Sequence, residues 1–174
     1  DLQRKRIQRQ TPSRRFINNA RFLNQLGIQA PDVTEWYSCD ELAVQMVIYQ
    51  RIPGRDLRDL TASGDTTALD LFPTFLARLH DKGIYFRAIH LANVLYQDNG
   101  WALIDVADMQ FKSGPLGVFH RARNLSHLFN VAEDQTALAA FGEQQLVAAY
   151  CHSANVSTWQ YQLIRLWIRL HRRA

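Results

Sequence analysis

Leu79-His80-Asp81-Lys82-Gly83-Ile84-Tyr85-Phe86-Arg87-Ala88-Ile89-His90-Leu91-Ala92-Asn93-Val94-Leu95, followed by Leu103-Ile104-Asp105-Val106-Ala107-Asp108, is the stretch on which the reading of this chain turns. It opens at the end of a helix: Leu69, Phe72, Leu76 and Leu79 recur at helical spacing over residues 66–82, and Gly83 stands where such a helix stops. Two short apolar runs, 93–97 and 101–106, then flank Asp98-Asn99-Gly100. Asn-Gly between apolar runs is a strong short-range signal for a tight hairpin. Asn93 enters that hairpin and Asp105 leaves it, so folding it brings the two together. An aspartate directly behind the apolar run Ala102-Leu103-Ile104 is more than an ordinary turn residue.

Working outward, Ser13 is a candidate cap for a helix to about residue 26, with Phe16, Ala20, Leu23 and Leu26 on one face and Gly27 behind it. Residues 28–34 read as extended, 42–49 as a strand and 51–56 as a turn. Residues 114–117 are loop, and helices are expected at about 119–130, 134–152 and 156–173. There are no repeats and no low-complexity tracts. The order implies an α+β fold, short of strands at its beginning, as if the chain started partway into a larger fold.

The 174 residues suffice for one core, and no apolar stretch is long enough for a bilayer span. No signal peptide is legible, and Cys39 and Cys151 form neither a disulfide framework nor a metal spacing, which together fit a reducing, cytoplasmic setting. Both cysteines are expected to be small buried or half-buried residues. The net charge of +4 is uneven: basic ends flank a middle, residues 24–160, that carries nine basic and fifteen acidic residues. That pattern argues against a uniform nucleic-acid surface and fits local contact with something anionic, or simple solvation.

The loop resembles the catalytic loop of protein kinases and their small-molecule relatives, His-Arg-Asp-Leu-x-x-x-Asn followed after a short hairpin by Asp-Phe-Gly. Phe86 stands at the His, Arg87 at the Arg, Ala88 at the Asp, Ile89 at the Leu and Asn93 at the Asn, with Asp105-Val106-Ala107 at Asp-Phe-Gly. The resemblance implies a protein-kinase-like fold, with residues 1–50 as a partial N-lobe and 51–174 as a helical C-lobe. It implies ATP and magnesium as cofactors, with Asn93 and Asp105 as hard oxygen ligands. Met46-Val47-Ile48-Tyr49-Gln50-Arg51-Ile52-Pro53-Gly54 resembles the hinge between lobes, which puts the Gln50, Arg51 and Ile52 backbone against adenine. Asn19 falls near the position of the helix glutamate that usually pairs with a phosphate-binding lysine. Arg121-Ala122-Arg123-Asn124-Leu125 resembles a helix start with Asn124 in place of an Asp. Neither a glycine-rich loop nor a strand lysine precedes residue 14. The details around Tyr85-Phe86-Arg87 and Asp105 are similar to a bacterial branch near the lipopolysaccharide core (heptose or Kdo) kinases, including proteins labelled toluene tolerance proteins.

Ala88 cannot accept the proton of an attacking hydroxyl. Either the chain is a phosphotransferase whose base lies elsewhere, with His90, Asp108 and Arg87 as the catalytic set, or it is a pseudokinase that binds nucleotide or a partner and transfers nothing. His90 reads more readily as a structural histidine bonding the loop backbone, and Asp108 equally as a turn cap. In the last helix, Trp159, Leu163, Leu166, Trp167 and Leu170 lie opposite Arg165, Arg169, Arg172 and Arg173. That face either packs on the core or meets an anionic membrane. The expected acceptor is a lipid-linked or small saccharide, reached at the inner face of the bacterial inner membrane. No nucleic-acid partner is expected.

Overall fold

A computed structural model describes residues 11–97 and 100–172. Helix α1 (Pro12–Gln25) is capped by Thr11, whose hydroxyl accepts from the Arg14 amide, not by Ser13. Pro12 takes the first helical position, where its missing N–H costs nothing, and this moves the cap one residue before the proline. A two-stranded antiparallel ribbon follows, β1 (Val33–Cys39) with β2 (Val44–Tyr49). β1 was not expected, because residues 33–39 show no clean alternation and most of the ribbon is exposed. Cys39 lies exposed at its end, whereas Cys151 is buried, and that burial pushes its thiol up to about 11.

The expected turn at 51–56 ends in a short strand, β3 (Arg55–Asp56), which pairs with β5 (Val94–Gln97). An unexpected helix, α2 (Leu57–Ala62), follows at once, capped by the Asp56 carboxylate, and is too short to show a period. The long helix is as read, α3 (Thr67–Asp81), with Pro73 inside it. Its buried side, including Leu69, Phe72, Leu76 and Leu79, fixes it by packing, which offsets the proline.

β4 (Ile84–Phe86) pairs with β7 (Met109–Phe111), so the two ends of the deciding stretch are sewn together. Between them lies the hairpin of β5 and β6 (Gly100–Leu103); its turn residues Asp98 and Asn99 fall outside the described residues. Trp101 stacks on Phe75 of α3 with ring centroids 4.7 Å apart, which seats the hairpin on that helix. Gly83 makes the crossing possible. It has φ +75°, and a Cβ there would sit 2.6 Å from the carbonyl oxygens of Lys112 and Gly114.

The remaining chain is helical: α4 (Val118–Phe129), α5 (Gln135–Phe141), α6 (Glu143–Ser153) and α7 (Thr158–Leu170). The single helix expected at 134–152 is two helices, broken at Gly142 with φ +100°. One buried cluster runs from Ala20 and Leu23 of α1 through α3, β4 and α4 to Tyr150 and Ile164, so the core is continuous across residue 50. Among the described residues no helix is long and apolar enough to cross a membrane.

Candidate functional site

The loop between β4 and β5 is held by hydrogen bonds rather than by regular structure. Asn93, 5% exposed, donates from its side-chain amide to the Ala88 carbonyl at 2.9 Å. Its backbone carbonyl accepts from Ile104 N at 3.1 Å, which places residue 105 beside the loop. The Leu91 amide donates to Asp134 Oδ2 at 2.7 Å, and Arg58 Nε donates to Asp134 Oδ1 at 2.7 Å. Asp134 is fully buried, so a carboxylate from the start of α5 sets the loop backbone and is neutralised from α2.

Beneath the loop is a second network. His80 Nε2 meets Asn124 Oδ1 at 2.8 Å, and the Asn124 amide donates to the Phe86 carbonyl at 2.6 Å. With Asn124 so oriented, His80 is a donor at Nε2 and an acceptor at Nδ1, where Tyr150 Oη lies 2.7 Å away. Arg121 donates to Tyr150 Oη, to Asp81 and to the Leu116 carbonyl. Burial drives the His80 pKa down to about 4, so the ring is neutral. Burial likewise raises the Tyr150 phenol.

Asp105 stands at the exit of the hairpin with φ +52° and ψ +49°, a left-handed conformation uncommon for a residue with a Cβ. A 3₁₀ turn at residues 106–108 follows. Helix α1 grips this turn from the other side. Asn19 Nδ2 lies 2.8 Å from the Val106 carbonyl oxygen, 3.2 Å from that of Ala107 and 3.4 Å from that of Met109. Arg15 reaches the Ala107 carbonyl and pairs with Asp108 at 3.2 Å. Between α1, β2 and Ala107 opens a cavity of about 800 Å³, lined among others by Phe16, Val47, Tyr49 and Ala107. That volume is within the range of small-molecule pockets.

The expected site residues are thus placed as follows. Asn93 and Asp105 sit at the two ends of one hairpin. His90 is half-buried, and its Nδ1 is buried without a hydrogen-bond partner. Asp108 is exposed and turned to Arg15; Arg87 is exposed; Ala88 is half-buried against the core. Gln50 and Arg51 are exposed backbone between β2 and β3, while Ile52 is buried against Leu95 and Ala102. Asp134, Arg58 and the grip of Asn19 on the turn were not foreseen. Nothing in the sequence marks Asp134 beyond its place before a helix, where acids are ordinary.

Among the described residues no group of three or more His, Cys, Asp or Glu is placed to hold a metal. The donor chemistry at Asn93 and Asp105 nonetheless fits magnesium. Asn93 uses its NH₂ on Ala88 and leaves its carbonyl oxygen as a hard donor, and Asp105 adds a carboxylate. Magnesium commonly rests on one or two carboxylates, with phosphate and water oxygens completing its shell.

No protein-family profile matches the chain, and no curated protein matches it in sequence. Solved structures do. The chain is similar to WaaP in complex with acyl carrier protein, with a TM-score of 0.57 and 12% identity over 90% of this chain and 75% of that one. It is also similar to the bifunctional kinase-methyltransferase WbdD, with a TM-score of 0.50 and 18% identity over 91% of this chain and 41% of that one. A complex of WbdD with the kinase inhibitor LY294002 gives a TM-score of 0.51 at 19% identity, again covering 41% of that chain.

Proposed function

We propose that this chain, which has the protein-kinase-like α+β fold, is a phosphotransferase that moves the γ-phosphoryl group of ATP to a hydroxyl of a lipopolysaccharide core saccharide. The observation that carries the reading is that Asn93 and Asp105 stand at the two ends of one hairpin, with Ala107, two residues after Asp105, lining a cavity large enough for a nucleotide. Bound magnesium at Asn93 and Asp105 would neutralise phosphate charge. The residues of the chain do the rest. The backbone at Gln50, Arg51 and Ile52 borders adenine. The loop fixed by Asp134 and Asn124 positions the acceptor hydroxyl. In the transfer the acceptor oxygen bonds to the γ-phosphorus, the bond to the β-phosphate oxygen breaks and ADP leaves. The hydroxyl proton passes to the half-buried His90 ring on the same loop, since Asp108 is already paired with Arg15. Arg87, exposed on the same loop, supplies a guanidinium for phosphate or saccharide in this reading. Positioning and charge stabilisation supply most of the acceleration in phosphoryl transfer, so an alanine at position 88 weakens catalysis without forbidding it.

Ala88 also favours a second reading, a pseudokinase that binds nucleotide and acts as a docking module. Calorimetry of ATP binding with and without magnesium, on the chain and on Asp105→Ala, decides first. Magnesium-dependent binding that disappears in the variant is expected. No binding at all rules out the phosphotransferase, and binding without transfer to any core saccharide selects the pseudokinase.

A further inference from the structure

Helix α7 buries Ile164 and Ile168 against the core. A second apolar line, Trp159, Leu163, Leu166 and Leu170, runs along the same helix at spacings of four, three and four residues. Three of its four residues face outward, Trp159 at 62% exposed, Leu166 at 48% and Leu170 at 66%, with Leu163 half-buried between them. The core therefore does not use this line. At its side, α4 adds Phe119, itself exposed, with its ring edge-on to Trp167 at 5.9 Å. A ridge of this kind is unusual on a soluble surface.

The charge around the ridge has one sign. Helices α4 and α7 contain no Asp or Glu, and they expose Arg123 beside Phe119, and Arg165 and Arg169 beside Leu166 and Leu170. Glu143, which borders the groove between α6 and α7, is paired with Arg172. A second copy seated on this ridge would press the two cationic rims together. An interface of acyl chains below anionic headgroups satisfies ridge and rim at once.

We infer that α7, with the first turns of α4, docks on the surface of an anionic lipid bilayer, its Trp159–Leu170 ridge set into the headgroup boundary. Such docking does not require nucleotide, so its failure leaves the phosphotransferase reading standing, and the converse also holds. The test is co-sedimentation of the chain with vesicles of phosphatidylglycerol and phosphatidylcholine in equal parts, against vesicles of phosphatidylcholine alone. Binding only to the anionic vesicles is expected. The double variant Arg165→Gln/Arg169→Gln weakens it about thirtyfold, from about fivefold per arginine near a charged surface. Leu166→Ser/Leu170→Ser weakens it by at least about tenfold. Both pairs are exposed, and unchanged melting temperatures verify that the variants fold. Equal binding to both vesicle types, or wild-type binding by either double variant, overturns the inference. So does a dimer in sedimentation that the leucine variant dissolves, since that assigns the ridge to a second copy.

Discussion

Asp134 holds a carboxylate where water does not reach, and two donors answer it, the Leu91 amide and the Arg58 guanidinium. Removing one or the other is not equivalent. Asp134→Asn keeps an acceptor for Leu91 and leaves Arg58 able to reach solvent, so it costs about 1 kcal/mol. Arg58→Ala strands a buried charge with a single partner and costs about 3 kcal/mol. Urea unfolding of the two variants should give that order; the reverse order would mean that Asp134 is not charged in the folded chain. The residues that announced themselves in the sequence were those whose chemistry is local. Asn93 and Asp105 are legible because one hairpin separates them. Asp134 is not, because its meaning depends on a loop that comes 43 residues earlier in the chain.

At the scale of elements, α1 is a clamp on the turn after Asp105. Asn19 faces three carbonyl oxygens there, where the resemblance led one to look for a glutamate. A carboxylate at that place would meet only acceptors. Asn19→Ala should cost about 1 kcal/mol of stability and, if the turn sets the metal ligand, lower magnesium-dependent ATP affinity about fivefold. Asn19→Asp should be worse on both counts. Calorimetry beside urea unfolding checks the pair, and unchanged nucleotide affinity in both variants would separate α1 from the site. Legibility among the elements followed the same rule. Helix α3 and the β5–β6 hairpin carry their own periodicity and turn signal. The three-residue strands β4 and β7 have too few residues for a pattern, and what forms them is their pairing with each other over Gly83.

For the whole molecule the network around His80 matters most, because it ties α3 to α4, α6 and β4. Burial lowers the His80 pKa to about 4 from an ordinary 6.5. Above pH 6.5 the ring is neutral folded or unfolded, and the full stability is present. As the pH falls toward 4 the unfolded chain takes up a proton that the folded chain refuses, and roughly 3 kcal/mol is lost. His80→Gln should flatten that part of the profile, read as the difference between variant and wild-type urea midpoints from pH 7 to pH 4. A variant with the same slope as wild type would place the acid sensitivity elsewhere. The same network has a consequence for synthesis on the ribosome. Two anchors of the loop lie well downstream of it: Asn124 is 38 residues beyond its partner Phe86, and Asp134 43 beyond Leu91. A nascent chain can therefore form its hairpin early, but it cannot set its loop until the start of α5 has left the exit tunnel.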